Sequence, residues 1–75
     1  MISLSQTRIL KRLGNNLRAA RLKARLSQDA LARLAKLHRI YVGSVERGQR
    51  NISLLNIVKL SKALRIAPTA LLKGI

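Results

Sequence analysis

Apolar positions recur along this chain at intervals of three and four residues, the spacing that places side chains on one stripe of a helix. Ile9, Leu13, Leu17, Ala20 and Ala24 form the first stripe, with Arg12, Arg18 and Lys23 off it, and predict a helix from about Ser5 to Ala24. Gly14 weakens this pattern. Residues 1–12 therefore read as an N-terminal extension, helical and continuous with the first helix or frayed ahead of Gly14, before a domain at 13–75. Ser27 is a suitable N-cap for a second helix, with Asp29 in its first turn at the positive end of the helix dipole. That helix is expected to end near Ala35. A third starts at Leu37 or His38 and closes at Gly48. Ser53 caps a fourth, whose Leu54, Ile57, Val58 and Leu64 share a face with support from Leu60 and Ala63. Pro68 suits the first position of a short fifth helix carrying Ala70, Leu71 and Leu72. No segment alternates as a strand does. The expected fold is all-α, compact and five-helical.

Residues 28–47 carry the most specific arrangement. Ala32 is small enough for two helices to cross closely there, and Leu31 and Ala35 point inward with it. Leu37 plugs the following turn, and Val42 and Val45, three apart, form the inner face of the next helix. This is the pattern of a helix-turn-helix. It leaves Arg39, Ile40, Gly43 and Ser44 as the expected outer face, where a DNA major groove would be read. Arg39 is the candidate for a bidentate contact to guanine, worth ~1–3 kcal/mol of discrimination. Ile40 suits either a thymine methyl or packing on a partner helix.

Composition narrows the picture. The 75 residues make one domain whose core must come from Leu, Ile, Val and Ala, because Phe and Trp are absent and Tyr41 is the only aromatic. Without cysteine, disulfides and thiolate metal sites are excluded. Sixteen Lys and Arg stand against Asp29 and Glu46 alone, a formal charge of +14, which implies a polyanionic partner. The basic residues run from Arg8 to Lys73 and do not form a terminal arm. Met1–Leu4 is too short for a signal h-region and no apolar run approaches the ~18 residues of a membrane span, so a cytoplasmic protein without membrane contact is expected. Two acids cannot supply paired-carboxylate chemistry or a Mg²⁺ cage. His38, the sole histidine, lacks acidic or thiol neighbours and reads as a cap or phosphate neighbour, and Ser27 reads as a cap. An enzyme, a metal, a cofactor and a small-molecule substrate are therefore not expected.

The run LGNNLRAARLKARLSQDALARLAKLHRIYVGSVERGQRNISLLNIVKLSKAL resembles the helix-turn-helix family of phage lambda-type repressors and Cro proteins, including the small controller proteins of restriction–modification systems. The resemblance covers roughly Leu13 to Leu72, and its most specific pieces are LSQDALA, IYVGSVERG and RNISLLNIVKLSKAL in that order. It implies that Gln28 bonds a DNA phosphate and braces the recognition helix. It implies that Arg39, Ile40 and Ser44, with Gly43 between them, meet base edges, and that Arg47, Arg50 and Asn51 grip the backbone, with Gln49 on the same loop. It further implies a salt bridge between Arg21 and Glu46. Tyr41 reads as a ring over the motif whose hydroxyl can reach a phosphate. Two positions depart from the family pattern. Lys36 stands where glycine is usual, strained by ~1 kcal/mol if left-handed and with its ammonium facing solvent or phosphate. Ser44 replaces a long polar reader, so DNA shape is expected to supplement Arg39.

The resulting expectation is a sequence-specific double-stranded DNA-binding transcription regulator, acting as a homodimer on a palindromic operator. The chain has no room for a ligand-sensing second domain, so regulation would come from concentration, dimerisation or a partner protein. The apolar group Ile66, Leu71, Leu72 and Ile75 is the expected dimer interface. The rival readings are the DNA-binding antitoxin of a toxin–antitoxin pair, a nucleic-acid-packing or RNA-binding protein, and a cationic membrane-active peptide.

Overall fold

The structure, a computed structural model, describes residues 3–75. Five helices follow in order: α1 (Leu4–Lys23), α2 (Gln28–Ala35), α3 (Arg39–Glu46), α4 (Leu54–Leu64) and α5 (Pro68–Leu71). The first two positions of segment 1–12 lie outside the described residues. Helix α1 starts on a capping box: the Gln6 N–H donates to Ser3 Oγ at 3.2 Å and the Ser3 N–H donates to Gln6 Oε1 at 2.7 Å. Ser27 and Ser53 cap α2 and α4 by the serine bond alone, their side chains accepting from the Ala30 and Asn56 N–H groups. Pro68 occupies the start of α5, where its missing N–H leaves no helix bond unmade.

Helix α1 runs unbroken through Gly14, so the expected fraying ahead of it does not occur. The glycine marks a crossing. A Cβ at Gly14 would stand 2.5 Å from the carbonyl oxygens of Val45 and Glu46, so only glycine lets α1 lie against the end of α3. The inward stripe of α1 is Leu10, Leu13, Gly14, Leu17 and Arg21. Leu10 thus takes the inner position expected of Ile9, which is about half exposed, and Ala24 faces outward.

Three helix ends turn on left-handed residues that are all cations: Arg25, Lys36 and Arg65, with φ of 60°, 58° and 56°. Each residue carries strain that glycine would not. Each also places positive charge at the negative end of a helix dipole, which offsets part of that strain. Gly48 supplies the corresponding left-handed residue after α3, with φ 73°.

Helix α3 is sandwiched between α1 and α2, α2 also packs on α4, and α5 closes against α4 and α1. Leu17, Leu31, Val42, Leu60 and Leu71 are fully buried where these helices meet. Full burial of each such side chain contributes ~1.5–3 kcal/mol. Asn16 ties the last turn to α1, its amide donating to the Leu71 and Lys73 carbonyls at 2.9 and 2.8 Å. Leu54 departs from its expected inward position. It stands at the start of α4 and is 71% exposed, as Leu55 beside it is 72%. Among the described residues, no helix is long and apolar enough to cross a membrane.

Candidate nucleic-acid interface

The turn between α2 and α3 is built by its backbone. Lys36 closes α2 in the left-handed conformation, and the Leu37 N–H reaches back to the Ala32 carbonyl at 2.8 Å. Leu37 itself packs onto the core. His38 stands at the N-cap of α3 with no side-chain bond, so its ring is not spent on the cap. Val42 and Val45 fix the inner side of α3 in the core.

Below the outer surface lies a closed polar network. Glu46 Oε2 accepts from Arg21 Nε at 2.7 Å, and Oε1 accepts from Arg21 Nη2 at 3.0 Å and from the Gln28 amide at 3.1 Å. Arg21 Nη1 donates to the Leu26 carbonyl at 2.9 Å. The bond to Glu46 raises the Arg21 pKa above its ordinary value against the opposing effect of burial. One carboxylate therefore joins α1, the start of α2 and the end of α3. Gly43 makes room for this. A Cβ there would lie 3.2 Å from both Gln28 Oε1 and Arg47 Nη1. Its missing side chain lets the Gln28 amide cross α3 to Glu46.

Two residues expected to read bases are therefore not at the surface. Ser44 is 7% exposed and donates to the Tyr41 carbonyl at 2.8 Å, while Gly43 is buried under Gln28 and Arg47. Periodicity assigned α3 one inner and one outer face, but packing from both α1 and α2 covers most of its circumference. What remains outside is its first turn, Arg39 and Ile40, the latter 71% exposed.

Arg47, Gln49, Arg50 and Asn51 are brought together, all exposed, on the loop after α3. Arg47 Nε donates to Gln49 Oε1 at 3.1 Å. The Arg50 guanidinium stands 5.6 Å from the centre of the Tyr41 ring, a cation–π distance. The Tyr41 hydroxyl accepts from the Asn56 amide at 2.9 Å, which pins the ring to the first turn of α4. Asn56 was not anticipated from the sequence, because nothing in local spacing links it to Tyr41. Lys36 is not part of this group. It stands at the opposite end of α2 from Gln28, around a shallow depression shared with Leu34, Lys59 and Lys62. An eight-residue helix separates such ends by ~12 Å, so Lys36 is removed from Gln28.

The profile of the helix-turn-helix family matches residues 17–71. The chain belongs to the helix-turn-helix family of DNA-binding transcription regulators. Within the matched residues, α2 and α3 are the two helices joined by the turn at Lys36. The chain is 50% identical over 60 residues to the control protein C.BamHI of Bacillus amyloliquefaciens, covering 79% of this chain and 74% of that one. Its fold superposes on the restriction–modification controller protein C.AhdI of Aeromonas hydrophila with a TM-score of 0.82, 55% identity and coverage of 83% and 94% of the two chains. It is also similar to the P22 c2 repressor solved with a synthetic operator, with a TM-score of 0.76, 33% identity and coverage of 84% and 96%.

The apolar group expected at a dimer interface divides in two. Leu71 is 0% exposed and belongs to the chain's own core, and Ile66 is half-buried against that core. Leu71 therefore cannot meet a second copy without unpacking α5. Leu72 and Ile75 remain outside.

Proposed function

We propose that this chain binds a two-fold symmetric operator as a homodimer and controls transcription from it, in the manner of a restriction–modification controller. The observation that carries this reading is the exposed first turn of α3. Arg39 and Ile40 project from a helix held by the core and by the Arg21–Glu46–Gln28 network, so their presentation to a groove is rigid. In the major groove the Arg39 guanidinium would donate to guanine O6 and N7, and Ile40 would meet a thymine methyl. Arg47, Gln49, Arg50 and Asn51 would hold the flanking backbone, with Gln28, His38 and Tyr41 at its margins. These phosphate contacts fix register, and the base contacts carry sequence.

No free acid opposes this. Glu46 is consumed internally, and Asp29 pairs with Arg33 at 3.3 Å on the surface. Similarity to C.BamHI and C.AhdI supports the controller role, and the operator complex of the P22 c2 repressor supports the mode of docking. Leu72 and Ile75 supply apolar surface for a second copy, joined by the exposed Leu54 and Leu55 as further candidates. The test is stoichiometry. Sedimentation with a duplex enriched by binding should give two chains per duplex, whereas one chain per duplex at saturation would contradict the dimer.

A further inference from the structure

Helix α1 reaches the loop that follows α3, and the contact is made by backbone. A Cβ at Gly48 would lie 2.7 Å from Lys11 Cγ and 3.0 Å from both Lys11 Cα and N. Gly14, three residues on along the same helix, touches the Val45 and Glu46 carbonyls. Two close approaches one helical turn apart thus lock α1 along the end of α3. Further out, Gln6, Ile9 and Leu10 line a small cleft with Asn51. The loop carrying Arg47, Gln49, Arg50 and Asn51 is therefore flanked along its length by α1.

Lys11 is the cation at the centre of that junction. Its stem lies against Gly48, midway between Arg47 and Gln49, and the residue is exposed. Arg12 sets its guanidinium against Gly74, and Lys11 also borders the open groove that Arg8, Arg12 and Asn15 form on that side, so its stem stands between the groove and the loop. The two acidic side chains of the chain are paired elsewhere, Glu46 with Arg21 and Asp29 with Arg33, so neither neutralises Lys11. A lysine held this way beside other unneutralised cations suits an anion that spans the group.

We propose that Lys11 is a DNA phosphate ligand, so that α1 extends the backbone-gripping surface of the 47–51 loop by one contact per protomer. This rests on the DNA reading given above. The contact is electrostatic and carries no base information. Its position on a locked helix distinguishes it from the diffuse charge of the remaining surface.

The experiment is a salt titration of binding to a short random-sequence duplex between ~50 and ~200 mM. Lys11→Gln retains most of the stem against Gly48 and removes the charge. It should flatten the log–log salt slope by ~0.9 per bound protomer relative to wild type. Lys11→Arg should restore the slope, and Lys62→Gln, on the far surface beside Lys36, should leave it unchanged. Equal thermal melts for the variants would tie the change to the duplex. A wild-type slope retained in Lys11→Gln overturns the inference and leaves the DNA reading standing. A Lys62→Gln effect as large as that of Lys11→Gln also overturns it, since general charge would then explain both. A wild type that binds duplex without salt dependence overturns the DNA reading itself.

Discussion

The Arg21 guanidinium meets the Glu46 carboxylate side-on, with Nε to Oε2 at 2.7 Å and Nη2 to Oε1 at 3.0 Å. The Glu46 side chain is 3% exposed, so removing either partner strands a charge in the interior. Glu46→Gln and Arg21→Met should each destabilise the fold, by about 3–5 kcal/mol. The double change should cost less than the sum, because neither charge is then left alone. Denaturant melts of the four proteins measure this, and additive effects would show that the two groups do not interact. Arg21's folded pKa lies above its unfolded value. Its contribution is therefore complete below the unfolded arginine pKa and fades only as pH rises through the folded one, in strong alkali.

Lys36 holds the left-handed conformation without the freedom of glycine. Lys36→Gly should relieve strain but lose a cation from the negative end of α2, an interaction worth ~0.3–1 kcal/mol. Strain of ~1–2 kcal/mol is the larger of the two. The variant should therefore melt higher than wild type and keep its sequence preference. A lower melting temperature would show that the packing of the lysine stem beside Leu34, together with the extra freedom of glycine in the unfolded chain, outweighs the strain.

Arg39 and Ser44 should separate cleanly. Arg39→Ala should relax preference at one or two operator positions per half-site and leave non-specific affinity nearly intact. Ser44→Ala should leave preference unchanged, since its hydroxyl is bonded inward to the Tyr41 carbonyl. Competition binding with single-base variants of the site distinguishes the two. Relaxed preference in Ser44→Ala would mean that α3 presents a different face to DNA.

Leu72 and Leu71 are adjacent but should behave differently. Leu72→Glu should give a folded monomer with weakened operator affinity, whereas Leu71→Glu should unfold because its site is closed. Raised salt should strengthen dimerisation by screening two chains of +14, while weakening DNA binding. Sedimentation at several salt concentrations checks both. A Leu72→Glu dimer as stable as wild type would move the interface, with Leu54 and Leu55 the next surface to alter.

The helices were legible because their ends carry chemistry in local sequence: Ser27 and Ser53 as caps, Gly48 after α3 and Pro68 at the start of α5. The turn residue Lys36 could be read as left-handed from its place in the motif. The number of neighbours around each helix was not legible. Ser44 and Gly43 fall on the outer arc of an isolated α3 but are covered once α1 and α2 pack from both sides. The same limit put Ile9 inward in place of Leu10, since both fit a three-and-four spacing. Leu71 has the look of an exposed end in sequence, and only the fold-back of α5 onto α4 and α1 buries it. Long-range partners such as Tyr41 with Asn56, or Lys11 with Gly48, leave no mark on local spacing.

Selection of bound duplexes from a random library at ~150 mM salt tests the central claim most directly, because it reads specificity and symmetry together. A two-fold symmetric site is expected, with half-site centres ~10 base pairs or ~34 Å apart, as two recognition helices on one face of the duplex require. Guanine should be enriched at the position facing Arg39 in each half. Recovery of duplexes with no common sequence, or of a single unrepeated half-site, would contradict it.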